Sequence, residues 1–383
     1  MAHQLQHDLL VRRTHDEQSR QEYVMSLRRH LASHIAPHCA EMYTDAIKSA
    51  FEAKHGHEPG TRPEMREAMR NSDLYQFFSA LQRTSQELMW DSVIDSVERQ
   101  LPELNEKAKR FVGKRGHGGT LTLDPDLEIP NYLTGYDIHL QPGGYHTDYG
   151  DDDVAAGALW DRAIYLYSMG YTGPEMDYWG QSLAAHYRKM MPDSDPKRIL
   201  DMGCTTGAST IPWKKMFPNA EVHGIDIGPA LLRYGHARAE SMGVGIHLSQ
   251  QNAEQTSFDD ESFDVVVSGL LMHETSKKGV NRIFSESRRL LKQQGMMMHM
   301  DPPLFTEMTP LRAFLAAWEA YNVNEAFAGV YRDMDLVNEA IKAGFAKDKV
   351  RLMQVELVVA PEFRNYDTPI SEWPAIVAEK WAD

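Results

Sequence analysis

The chain has 383 residues, enough for two domains, with 40 Lys and Arg against 55 Asp and Glu, a net charge of −15. Such a surface repels nucleic acid and anionic membrane, and no basic patch overrides it. The opening stretch "MAHQLQHDLLVRRTHDEQ" is too polar for a secretory leader, no apolar run approaches a membrane span, and the two cysteines, Cys39 and Cys204, stand far apart. The expectation is a soluble, cytoplasmic, globular protein without a disulfide framework.

Residues 17 to about 111 read as helical, so residues 1–111 form an N-terminal helical region. Val24, Leu27, Leu31 and Ile35 share one face at helical spacing, and Leu74, Phe77, Phe78, Leu81 and Leu88 repeat the pattern on a longer helix that Ser72 or Asp73 can cap. Thr61-Arg62-Pro63 predicts the start of a shorter helix between them, since proline is tolerated in a first turn. Residues 112–150 are rich in Gly, Pro, Tyr and Asp and predict an ordered loop with room for a short strand or hairpin. A helix follows from about Val154 to Tyr167, with Asp151, Asp152 and Asp153 at the end where a helix dipole favours negative charge; Gly170 stops it, and Pro174 starts another that ends near Met191. Residues 112–192 thus form a connecting segment placed to act as a lid.

From residue 193 to 383 the pattern alternates. Strand-like runs at 198–201, 221–226, 246–249, 263–268 and 295–300 are separated by helical stretches at 208–216, 229–242 and 278–292; helices at 310–328 and 333–344 and a final strand, "KVRLMQVELVV", complete it. Alternating β and α units imply a largely parallel sheet with helices on both faces.

In such sheets ligands bind beyond the carboxyl ends of the strands, where strand order reverses. The first strand runs into "Asp201-Met-Gly203-Cys-Thr-Thr-Gly207", where glycine lets the backbone approach a ligand. The second ends in Asp226, a carboxylate able to accept both hydroxyls of a ribose. Asn252, Ala253 and Glu254 end the third, with polar groups suited to an adenine edge, and the fourth runs into the small residue Ser268.

Together these strand ends resemble those of the class I S-adenosylmethionine-dependent methyltransferases, over roughly residues 195–360. The resemblance implies an α/β, Rossmann-like, seven-stranded, mostly parallel sheet behind the all-helical N-terminal region. It implies S-adenosyl-L-methionine as cofactor, with S-adenosyl-L-homocysteine as product. Asp201, Gly203, Cys204, Thr205 and Gly207 then cradle the methionine part, Asp226 takes the ribose, Ile227 packs on adenine, Asn252 and Ala253 meet the adenine edge, and Ser268 lines the path of the methyl. Two positions depart from the family pattern. Thr205 replaces the middle glycine of D-x-G-x-G-x-G, and its β-branched side chain resists positive φ, so the turn is expected to be held differently. Asn252 replaces an aspartate and keeps a hydrogen-bonding oxygen. A nicotinamide dehydrogenase also needs a glycine loop and a ribose carboxylate, but its G-x-G-x-x-G fingerprint is not met by Gly203-x-x-x-Gly207.

Methyl transfer is an in-line displacement that needs a positioned acceptor, and a base only when the acceptor is a hydroxyl or protonated amine. His273 is the first candidate base or orienting group, as a neutral imidazole near pH 7, with Glu274 beside it. Asp301 ends the fifth strand and is expected to be exposed toward substrate, whereas His299 reads as a packed strand residue, and Met296, Met297, Met298 and Met300 as core filling. In "YDIHLQPGGYHTDY", Asp137, His139, His146 and Asp148 have the composition of metal ligands but no metal-binding spacing, so no metal is assigned. Tyr145 and His146 are expected instead as lid contacts to substrate, with "QPGGY" supplying a tight turn.

The reading is methyl transfer to a small or medium-sized molecule, without nucleic-acid or membrane partners, by a homodimer formed through the N-terminal helices. Oxygen, nitrogen, sulfur and carbon acceptors all stay open. The alternatives are a non-catalytic sensor or dimerisation protein on a methyltransferase fold, and an enzyme that keeps the cofactor without methylating.

Overall fold

One sheet of eight strands, ordered β1-β4-β3-β2-β5-β6-β8-β7, organises the computed structural model, which describes residues 3–111, 116–359 and 372–381. β1 (Thr120–Thr122), β2 (Arg198–Met202), β3 (Glu221–Asp226), β4 (His247–Gln250), β5 (Phe263–Gly269) and β6 (Leu291–Met300) pair in parallel. β7 (Val350–Glu356) lies at the other edge, and β8 (Glu372–Glu379) runs antiparallel between β6 and β7. The sheet has one strand more than the seven expected, because Thr120–Thr122, inside the glycine-rich segment, pairs with the edge of β4. Ile199, Leu200 and Met202 on β2, Val265 to Val267 on β5 and Met296 to Met298 on β6 are all buried, the continuous apolar runs of strands covered on both faces. β2 lies between β3 and β5, so strand order reverses at β2 and a crevice opens above its carboxyl end.

The N-terminal region is helical, as expected. α1 (His15–His30), α2 (Ala36–Met42) and α3 (Lys48–His55) follow one another through two π-helical turns, and α4 (Arg62–Met69) and α5 (Asp73–Lys109) complete the region. Thr61 caps α4 in a reciprocal pair with Glu64, and the Ser72 hydroxyl accepts from the Tyr75 N–H at the start of α5. Phe77 departs from its predicted face and is exposed.

Downstream lie α6 (Asn131–Thr134), α7 (Ala155–Tyr167), α8 (Tyr178–Met190), α9 (Thr210–Met216), α10 (Pro229–Ser241) and α11 (Lys277–Leu290), then α12 (Pro310–Asn322), α13 (Ala328–Arg332) and α14 (Leu336–Lys342). α8 starts at Tyr178 and not at Pro174, because Gly173 and Met176 adopt φ of +86° and +59°, which no helix continues. The helix predicted over 310–328 breaks after Asn322, where Asn324 takes φ +63°. Among the described residues no helix is long and apolar enough to cross a membrane.

Asp161 on α7 fastens the N-terminal segment to the sheet's helices. Its fully buried carboxylate accepts from Tyr234 Oη on α10 at 2.8 Å and lies 3.0 Å from His7 Nε2 and 3.9 Å from Arg238 Nε. Burial works to raise its pKa, but His7, Arg238 and Tyr234 outweigh burial and hold it below the ordinary 3.8. A folded pKa below the unfolded one gives stability that is complete above the unfolded value and lost as pH falls through the folded value. Asp161→Asn is therefore expected to lower the unfolding free energy by about 3 kcal/mol at pH 7, a deficit that shrinks below about pH 4. Urea unfolding at both pH values tests this; equal deficits at both would show that the charge contributes nothing.

Candidate active site

Two buried carboxylates hold the turn at the end of β2. Asp201 Oδ2 accepts from Ser209 Oγ at 2.6 Å and Thr210 Oγ1 at 2.7 Å, and burial pushes its pKa up to about 6 against those two hydrogen bonds. Asp201 therefore secures the first turn of α9 from inside and is itself 1% exposed. Asp226 Oδ2 accepts from the Thr205 N–H at 2.9 Å, and its Oδ1 accepts from the Gly228 N–H at 3.0 Å. Gly203, Thr205 and Gly207 all take left-handed φ, +71°, +47° and +70°. Thr205, expected from its branching to hold the turn differently, adopts left-handed backbone like its flanking glycines at a cost of about 1–2 kcal/mol, and the hydrogen bond to Asp226 offsets that cost. Gly203 also has no room for a side chain, because a Cβ would lie 2.8 Å from Leu271. Cys204 contributes backbone alone, since its side chain is fully buried and packs toward Gly224.

The other strand ends differ in what they leave available. Asn252 Oδ1 accepts from the Glu254 N–H at 2.9 Å, closing a local turn, so its Nδ2 is the group left for a ligand. Ala253 and Ile227 are half-buried beside it, and Gln250 Nε2 donates to the Ile227 carbonyl. Ser268 faces the interior: its hydroxyl pairs with His299 Nδ1 at 2.8 Å, and His299 Nε2 with Ser287 Oγ at 3.1 Å. Burial lowers the His299 pKa to about 3, which keeps this packed histidine neutral, as its strand position predicted.

Beyond β5 and β6 lies a cluster of acids and histidines. Asp301 is fully buried, contrary to the exposure expected of it, and accepts from the backbone N–H groups of Met272 at 2.9 Å and His273 at 3.3 Å. Its Oδ1 also pairs closely with His273 Nδ1. His273 Nε2 faces Glu274 at 3.4 Å, and Glu274 Oε1 in turn lies 2.5 Å from His139 Nε2. The second nitrogen of His139 faces Glu325 at 3.3 Å. Burial opposes a charge on His273, but Asp301 and Glu274 outweigh it and hold its pKa well above the ordinary range, so its surroundings do not favour the neutral imidazole expected of it. Glu274 is likewise held low by His139 and His273 despite burial.

His139 and Glu325 are the members that sequence spacing did not bring together with His273. His139 sits at φ +54°, and its carbonyl accepts from Trp90 Nε1 at 2.8 Å and Gln86 Nε2 at 2.9 Å, both on α5. Glu325 follows the break after α12, where Asn324 Nδ2 donates to the Asp137 carbonyl at 2.7 Å. The "QPGGY" turn forms as predicted, with Gly143 and Gly144 at positive φ and the Gly144 carbonyl accepting from Gln141 Nε2. Tyr145 then reaches between the two halves of the site. Its carbonyl would lie 2.2 Å from a Cβ at position 228, next to Asp226, and its ring centroid is 6.4 Å from that of His139. Burial first, then the carboxylates of Glu274, Glu325 and Asp226, push its hydroxyl pKa well above the ordinary value. His146 is half-buried beside the same turn, while Asp148 pairs instead with Arg233.

Among solved structures the chain is similar to phosphoethanolamine N-methyltransferase 2 of Haemonchus contortus in complex with S-adenosyl-L-methionine, at 17% identity and a TM-score of 0.44, over 58% of this chain and 57% of that one. It is similar to the demethylmenaquinone methyltransferase of Thermus thermophilus, 37% identical over 71 residues, 18% of this chain and 32% of that protein. It is also similar to the malonyl-[acyl-carrier protein] O-methyltransferase of Legionella pneumophila, 25% identical over 162 residues, 42% of this chain and 54% of that protein. The chain thus spans between about a third and just over half the length of these two relatives. Residues 199–295 match the family model of the methyltransferase domain. Over these residues, about a quarter of the chain, the sequence is thus that of a methyltransferase domain.

Proposed function

We propose that this protein transfers the methyl group of S-adenosylmethionine to a small or medium-sized acceptor. The observation that carries the reading is the β2–α9 turn, with Gly203, Thr205 and Gly207 left-handed and Asp226 gripping the Thr205 N–H, inside the segment that matches the family. In this reading Gly203, Cys204, Thr205 and Gly207 offer backbone to the methionine part of the cofactor, and Asp201 supports them from behind. Asp226 takes the ribose hydroxyls, Ile227 and Ala253 flank the adenine, and Asn252 Nδ2 meets its edge. Ser268 stiffens the floor beneath the methyl through His299 and does not touch it.

The sulfonium carries the leaving group, so the chain's task is to aim the acceptor and exclude water. His273 and Glu274 orient the acceptor, and where it is a hydroxyl or protonated amine its proton goes to the ionised Glu274, because the surroundings of His273 favour its charged form; Asp301 acts through His273 as a positioning residue. Tyr145 and His146 belong to the cover. The side chains of His139, His273, Glu274 and Glu325 are at most 12% exposed, which supports an acceptor small enough to be enclosed. Residues 1–111 and 112–192 are then the cover of a catalytic domain at 193–383. A cytoplasmic location, with both cysteines free and buried, and a homodimer through the N-terminal helices, where Tyr23 and Phe77 are exposed, belong to the same reading. The sensor and non-methylating alternatives draw no support from a buried acid–histidine cluster beside the proposed methyl path.

Calorimetric titration of the whole protein is expected to give micromolar binding of S-adenosylmethionine and none of NADH, with affinity weakened at least about tenfold in Asp226→Ala. Binding of NADH, or of neither, would overturn the reading. Thr205→Gly separates backbone from side chain. Because the N–H to Asp226 survives and the strain is relieved, the affinity should stay within about threefold of the parent and the melting temperature should not fall. A loss as large as that of Asp226→Ala would mean that the threonine side chain itself binds the cofactor.

A further inference from the structure

The acid–histidine cluster is more heavily built than orienting an acceptor requires. One ligand atom each from His139, His273 and Glu325 lie within 4.8 Å of one another. Bonds of about 2.1 Å from one ion reach all three with side-chain shifts of under about 1 Å. One further buried atom is left without a hydrogen-bond partner there, Glu274 Oε2, and His139 Nδ1 has only the Glu325 carboxylate at 3.3 Å, without a formed hydrogen bond. A buried carboxylate oxygen without a partner, beside an imidazole nitrogen that faces a second carboxylate without bonding to it, is an arrangement that a cation satisfies at once.

His273 is already arranged as a metal ligand is. Its Nδ1 pairs with Asp301, and Asp301 is locked by the N–H groups of Met272 and His273, which leaves Nε2 as the outward donor in a fixed ring orientation. A carboxylate bound to the far nitrogen is the usual way proteins fix the tautomer and raise the basicity of a metal-bound histidine. His139 is aimed in the same manner, from a left-handed backbone whose carbonyl is clamped by Trp90 and Gln86. Strain of this kind persists where surrounding structure enforces it, and here two donors on α5 do so.

We propose that His139, His273 and Glu325, with Glu274 as a fourth donor, bind a first-row divalent transition-metal ion. Two imidazoles with two carboxylates suit zinc, iron, cobalt or nickel, whereas magnesium and calcium prefer all-oxygen shells. None of the loop residues Asp137, His146 and Asp148 takes part; only His139 of that segment does, with partners far away in sequence. The site's existence stands on this geometry alone. Its use, to hold an oxygen-chelating acceptor in ionised form beside the cofactor, rests on the methyltransferase reading.

The test is titration of the whole, chelator-stripped protein with Co2+, read by visible absorption and by equilibrium dialysis. One equivalent should bind with a ligand-field band, and Glu325→Gln and His139→Ala should each weaken binding at least tenfold. Asp301→Asn, which leaves every donor in place, should weaken it by about ten- to a hundredfold. Glu325→Gln conserves side-chain volume, so it keeps the test usable should His139→Ala fail to fold. Asp226→Ala should bind Co2+ as the parent does even where it no longer binds S-adenosylmethionine, so the two readings fail separately. Absence of a cobalt band in the parent, or equal affinity in the parent and Glu325→Gln, would overturn the site and leave a proton-shared network of acids and histidines.

Discussion

The hydrogen bond from the Thr205 N–H to Asp226 is the constraint on which the rest of the site depends. It joins the ends of β2 and β3 at the place where strand order reverses, and it fixes a turn that would otherwise carry uncompensated strain. Asp201 completes the arrangement from the other side through Ser209 and Thr210. Both carboxylates are buried, and burial raises the pKa of each. The cost falls on groups that hold the backbone of the turn from within and so fix where its N–H groups point. Gly228 then lets Tyr145 come down on the far end of the same turn.

A second set of contacts draws distant segments onto that platform. Trp90 and Gln86 of the long helix α5 set the angle of His139, and Asn324, after the break in the helix following β6, ties to the segment that bears it. The histidine thereby meets Glu274 and Glu325, while Asp301 fixes His273 from the end of β6. The N-terminal region is thus more than an appended bundle: the segment before α1 is fastened through Asp161 to α10, and α5 shapes the chemical centre through His139.

Much of this was legible in the sequence, and the failures have physical causes. The strands β2 and β5 announce themselves as apolar runs that end in a polar or small residue, and β3 and β4 by alternation that ends in Asp226 and Gln250. The caps at Thr61 and Ser72 follow from side-chain chemistry alone. β8 was missed because Pro374 interrupts it; the proline is tolerated one position beyond the last β6–β8 pair, Met300 with Ala375. Strand alternation predicts an exposed Asp301 because it says nothing of the backbone N–H groups that close over it. His139 was singled out for its composition but set among the wrong partners, since local spacing cannot see Glu325. The branching of Thr205 predicts a turn held differently, and the carboxylate that receives its N–H, Asp226, lies on another strand.

The most direct measurement is a crystal structure of the whole protein with S-adenosylhomocysteine. The account predicts the ribose hydroxyls on Asp226, the methionine part along Gly203 to Gly207, and the thioether sulfur turned toward His273 and Glu274. A nucleoside bound elsewhere, or one whose sulfur points away from the acid–histidine cluster, would contradict it.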